Sequence, residues 1–209
     1  MLTGALFGLV GAVIFGIIKA ITAEGAIGQM NRVFKALRTG GLEAARSEVD
    51  KTFKPQSRPD RVFAPRYAAL SLIGDRVTLE REVGAINGPI KNICLGKSYG
   101  LLGLVLVGDP TAPGKLAEHA ATCERELPRM MAKIKEAVRG IATIGAGVVS
   151  GSTDSISKLR PGLFIFGTPW TKALLWDAVV RSFERDGKTE FAANARGNLA
   201  HLDRARHAA

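Results

Sequence analysis

The 209-residue sequence predicts an all-α chain: a single N-terminal transmembrane helix, an array of helical hairpins, and C-terminal helices. Three observations predict it. Residues 2–18 carry no charge. Gly40, Gly74 and Gly108 recur at a spacing of 34 residues, each at the end of an apolar, helix-like stretch. Strand candidates are scarce: apart from the apolar run before Gly108, only the short "LFIFG" at 163–167 reads as one.

The bulk numbers set the frame. The length suits one domain with a real core. Hydrophobic residues make up 46% of the chain and the formal charge is +10, which favours anionic partners: lipid head groups, acidic proteins or nucleic acid. A basic, solvated face is the plainer reading of the same excess. The two cysteines, Cys94 and Cys123, form no Cys-x-x-Cys pattern, which argues against a disulfide framework or a structural zinc site and fits a reducing compartment.

The first element is "MLTGALFGLVGAVIFGIIKAI". Its uncharged stretch is at the short edge of a bilayer span, and Lys19 can snorkel. A cleaved signal peptide wants positive charge before its apolar run, and none is present; a buried soluble helix is the remaining alternative. Residues 1–23 are therefore expected to be a retained anchor. Lys19, Arg32, Lys35 and Arg38 follow the run, so the bulk of the chain is expected on the cytoplasmic side. Gly4, Gly8, Ala12 and Gly16 form a small-residue stripe where a second copy or another membrane protein can pack.

Hairpins occupy the next stretch, 28–149. "VFKALRTG", "YAALSLIG" and "LLGLVLVG" each end at one of the spaced glycines, where a left-handed residue stops a helix. Second runs follow: "LEAARSEVDKTF", "RVTLEREVGAI" and "GKLAEHAATCEREL". Asp109-Pro110 opens a turn, and Pro113 suits the start of the next helix. Over residues 28–127 this period resembles the tetratricopeptide repeat, with Gly40 and Ala45 at its small-residue spacing and Gly74-Asp75 at its turn. The small residue expected five places after the glycine is Leu79 in the second unit and Pro113 in the third, and the large aromatic of each first helix has no match. The resemblance implies a concave surface that holds a peptide or helix.

Basic residues dominate the helix read over 127–149. Arg129 with Lys133, and Lys135 with Arg139, pair at four-residue spacing opposite an apolar side. Such a helix suits anionic lipid or an acidic partner, or is a plain surface helix of the array. "SGSTDSISK" begins a loop and Phe-rich segment over 150–168. Thr168-Pro169 then caps a helix that is apolar over much of its circumference, and the C-terminal helices run over 169–209.

Chemical motifs are few. "GDPTAPGK" at 108–115 superficially suggests a phosphate loop. Its glycines are one residue too far apart, Lys115 is followed by Leu116 in place of a hydroxyl, and Pro110 and Pro113 each remove an amide. His119, Cys123 and Glu126 share a predicted helix at metal-ligand spacing, with no second pair in view. No nucleophile elbow, paired catalytic carboxylates or cofactor motif occurs. The sequence thus predicts a membrane-anchored interaction or scaffold module that binds protein partners at the membrane, with anionic lipid as an added contact. The alternatives are an enzyme taking an anionic ligand at the 108–115 loop, or a basic surface binder; few aromatics and no recognition motif argue against nucleic acid.

Overall fold

The computed structural model describes residues 2–53, 59–159 and 167–207, with side chains from residue 25 in the first stretch and from residue 63 in the second. All regular elements among them are helical: α1 (Leu2–Thr52), α2 (Pro59–Leu72), α3 (Arg76–Gly84), α4 (Ile90–Leu106), α5 (Ala112–Glu126), a 3-10 turn (Arg129–Met131), α6 (Ala132–Ser150), α7 (Pro169–Arg185), α8 (Thr189–Arg196), a second 3-10 turn (Gly197–Leu199) and α9 (Ala200–His207). The anchor residues Gly4, Gly8, Ala12 and Gly16 lie outside the residues with described side chains, as does the "LFIF" of the Phe-rich segment. Among the residues with described side chains, which exclude the expected anchor at 1–23, no helix is long and apolar enough to cross a membrane.

Two of the three spaced glycines end helices as their pattern suggests. Gly74 (φ 78°) and Gly108 (φ 81°) adopt the left-handed conformation. The amide of Gly74 donates to the Ser71 carbonyl (3.0 Å) and that of Asp75 to Leu70 (2.9 Å); Gly108 and Asp109 repeat this with Val105 (3.1 Å) and Leu104 (3.0 Å). In both turns the aspartate then faces the next helix: Asp75 accepts from the Thr78 amide at 3.2 Å, and Asp109 from the Thr111 amide at 2.8 Å. The first bend differs from expectation. Gly41, not Gly40, takes the positive φ (72°) and kinks α1, while a Cβ on Gly40 would lie 2.7 Å from that of Ala44. In a Gly-Gly pair either residue can leave the helix, and here the helix keeps the first.

Three layers build the body. Helices α2, α4 and α6 form the middle layer, with α4 between the others. On one side α3 packs against α2 and α4, and α5 against α4 and α6. On the other side α7 packs against α2, α4 and α6 together. Gly100 and Gly103 bring α4 close to its neighbours: a Cβ there would meet Val83 at 2.5 Å and Ser71 at 3.1 Å. The C-terminal residues form a docked helix. Arg38 of α1 donates to the Ala205 and Arg206 carbonyls at the end of α9 (2.6 and 2.9 Å), and Arg206 lies 5.8 Å over the Phe34 ring.

Helix α7, apolar over much of its circumference, is buried against α2, α4 and α6. Trp170, Leu174, Leu175 and Ala178 are all fully buried. The inner face of the hairpins, which the repeat resemblance offers to a peptide, is covered by the chain's own helix. The cause is in α7 itself: a helix apolar around much of its circumference must be buried on several sides.

Buried ion pairs tie α1, α2 and α3 together. Arg66, 4% exposed, donates to both oxygens of Glu82 (2.8 and 2.6 Å) and to the Phe53 carbonyl (3.2 Å), and pairs with Asp50 (2.7 Å). Arg46 meets the buried Asp75 carboxylate at 2.5 and 3.1 Å. Burial pulls the Asp75 pKa upward, but the Arg46 guanidinium and the Thr78 amide and hydroxyl outweigh it and hold the carboxyl below its ordinary value. A folded pKa below the unfolded one gives stability that is present above the unfolded value, about 4, and lost as pH falls through the folded value. The wild-type urea midpoint should therefore drop more steeply below about pH 4 than that of Asp75→Asn. Parallel pH curves for the two proteins would remove Asp75 from the acid response.

Candidate functional site

One strip of α4 lines a narrow groove between α3 and α5, where Ile90 and Lys97 are half-buried and Ile93, Leu101 and Leu104 keep only 3–6% exposure. Ile90, Ile93, Lys97, Leu101 and Leu104 fall on one face of α4 at helical spacing and form a floor. Glu80, Val83 and Gly84 of α3 make one wall; Lys115, Glu118, His119 and Thr122 of α5 make the other. The groove encloses about 360 Å³. It is open because α3 has only 9 residues against 15 in α5, so one wall stops short.

Its charges are largely uncommitted. Lys97 is half-buried on the floor and Lys115 is exposed at the rim. Among the described residues neither lysine joins an ion pair, nor does Glu118. Glu80 has only a long contact, 3.9 Å, to Arg76.

His119 is the most buried polar side chain in the groove, at 7% exposure. Its Nε2 lies 2.9 Å from the Cys94 carbonyl oxygen. A carbonyl only accepts, so Nε2 carries the proton and donates. The Cys123 Sγ stands 3.6 Å from the same nitrogen as a second, weaker neighbour. Nδ1 makes no hydrogen bond within the described chain, and His119 is among the residues that line the groove. Burial lowers the His119 pKa, the Cys94 hydrogen bond opposes this, and Lys97 adds to the lowering. The ring is thus neutral at pH 7 and offers an acceptor beside two ammonium donors.

The residues singled out from sequence scatter around this site. Lys115 lies in it. The rest of the 108–115 loop does not form an anion cradle: Asp109 holds the Thr111 amide and hydroxyl (2.8 and 2.9 Å), and the Ala112 and Lys115 amides donate to backbone carbonyls. His119 and Cys123 touch, but the described residues hold no group of three metal-ligating side chains. The basic set divides. Lys135 donates to the Glu124 carbonyl (2.5 Å) and Arg139 to its carboxylate (3.1 Å), so both fasten α6 to the end of α5. Arg129 and Lys133 stay exposed, flanking Met130 at 91% exposure.

Lys97 was not singled out by sequence reasoning. Its signal is a charge inside "ICLGKSYGLLGLVL", on the same helical face as Ile90 and Ile93. No protein-family model matches the chain, and no curated protein or solved structure matches it either.

Proposed function

We propose that the chain is a membrane-tethered binding module. Residues 1–23 anchor it, the bulk lies on the cytoplasmic side, and the α3–α4–α5 groove is its working surface. The groove carries the reading: an apolar floor beside two lysines that join no ion pair within the described chain. In the scaffold form of this reading, an apolar, acidic segment of a protein partner occupies the groove, and Arg129 and Lys133 add attraction to anionic lipid or to that partner. A second form, a small anionic ligand in the same groove, is favoured by His119, since a nearly buried acceptor discriminates best against a ligand of fixed shape.

Photocrosslinking in native membranes tests both. A photoreactive residue in place of Glu118, at the rim, is expected to give a discrete adduct that disappears on adding Lys97→Glu and Lys115→Glu. The same residue in place of exposed His201 on α9 is expected to give none. Equal labelling at both positions, or none at 118, overturns the groove as the working surface.

A further inference from the structure

We propose that the α3–α4–α5 groove binds an amphipathic monoanion: an apolar body carrying one carboxylate with a hydroxyl or N–H beside it. This rests on the small-ligand form of the function above. The body is set by the floor, where Ile93, Leu101 and Leu104 give an apolar strip with Val83 on the wall. The anion is set by Lys97 and Lys115, which no carboxylate of the described chain pairs. The single charge follows from Glu80 and Glu118, which line the same groove and oppose a dianion such as a phosphate monoester more than a monoanion. The hydroxyl or N–H is set by His119. Its Nε2 is committed to Cys94, so the nitrogen left for a ligand in the groove is Nδ1, whose lone pair only a donor satisfies. A ligand that strips water from this nitrogen without replacing the hydrogen bond loses affinity.

The test uses the full-length chain in lipid nanodiscs, titrated calorimetrically with empty nanodiscs subtracted. The probes are decanoate, β-hydroxydecanoate, decanol and decyl phosphate. Decanoate is expected to bind about tenfold tighter than decanol, and β-hydroxydecanoate several-fold tighter again. Replacing both lysines, Lys97→Ala with Lys115→Ala, should erase the preference for decanoate over decanol and leave decanol itself unchanged. His119→Leu removes the Nδ1 acceptor, while the Cys94 carbonyl keeps the Ser98 hydroxyl at 2.6 Å; it should erase only the gain from the hydroxyl. Thermal melts of each variant verify folding, and the lysine pair keeps the proposal testable if the histidine variant does not fold. Equal affinity for decanoate and decanol, or no response to the lysine changes, overturns the proposal. Tighter binding of decyl phosphate overturns the single charge. A protein adduct at position 118 without decanoate binding rejects this ligand and leaves the scaffold reading standing; neither adduct nor binding rejects both.

Discussion

Replacing Leu174 and Leu175 together by Ala is expected to unfold the helical body. Both side chains are fully buried on α7, inside the continuous core that joins α2, α4, α6 and α7. A buried Leu→Ala change costs about 2–5 kcal/mol, through lost transfer energy and the cavity left behind. Two such changes approach the total stability of an ordinary domain, about 5–15 kcal/mol. Adjacent residues share neighbours, so the sum is not strictly additive. The expected result is loss of the cooperative urea transition and of most helical circular dichroism. A variant that kept a sharp transition near the wild-type midpoint would mean that α7 is a detachable cover and that the inner face of the hairpins opens without loss of the fold. The distinction bears on function, because only an accessible inner face returns the peptide-binding surface that the repeat resemblance implies.

The second large effect is expected at Arg66. Arg66→Met keeps the aliphatic bulk and removes the guanidinium that joins Asp50, Glu82 and the Phe53 carbonyl. Removing one partner of a buried pair costs about 3–5 kcal/mol when the charge left behind stays buried. Asp50 is half exposed and Glu82 about one-fifth exposed, so both regain water and the expected loss is at the lower end, about 3 kcal/mol. Arg66→Lys should recover only part of it, because a single ammonium cannot bridge both oxygens of Glu82 and reach the other acceptors. Urea titration measures all three proteins. Equal stability of the Lys variant and the wild type would show that charge alone, without the fork geometry, holds α1, α2 and α3 together.

Much of the architecture was legible in the chain because it is written locally. Helical period, Thr168-Pro169 and the glycine bends are short-range chemistry, and they placed α3, α5 and α7 close to their observed bounds. The 108–115 loop departs from a phosphate loop in spacing, proline content and the missing hydroxyl after Lys115, and its Thr111, Ala112 and Lys115 amides are held by Asp109 and backbone carbonyls. The shift from Gly40 to Gly41 was beyond reach, since two adjacent glycines are equivalent to any local rule.

The candidate site was hardly legible at all. In the sequence Lys115 stands out only as part of the 108–115 loop, and His119 only by its spacing from Cys123, where the described residues hold no group of three metal-ligating side chains. Lys97 and Glu80 lie 17 residues apart in the chain and meet across the groove only because the Gly74 turn folds α3 back on α2 and α4 crosses beside both. The basic side of α6 shows the same limit: four charges at ideal spacing, of which Lys135 and Arg139 are spent on the end of α5.

Residue order alone therefore settled that the described chain is helical and where most of its helices stop, because periodicity, caps and left-handed glycines act within a few residues. Which faces meet was decided by packing. Helix α7 covers the inner side of the hairpins because its apolar circumference needs several neighbours at once. The groove on the outer side stays open because α3 ends after 9 residues, leaving the lysine of α4 and the histidine of α5 to face the same space.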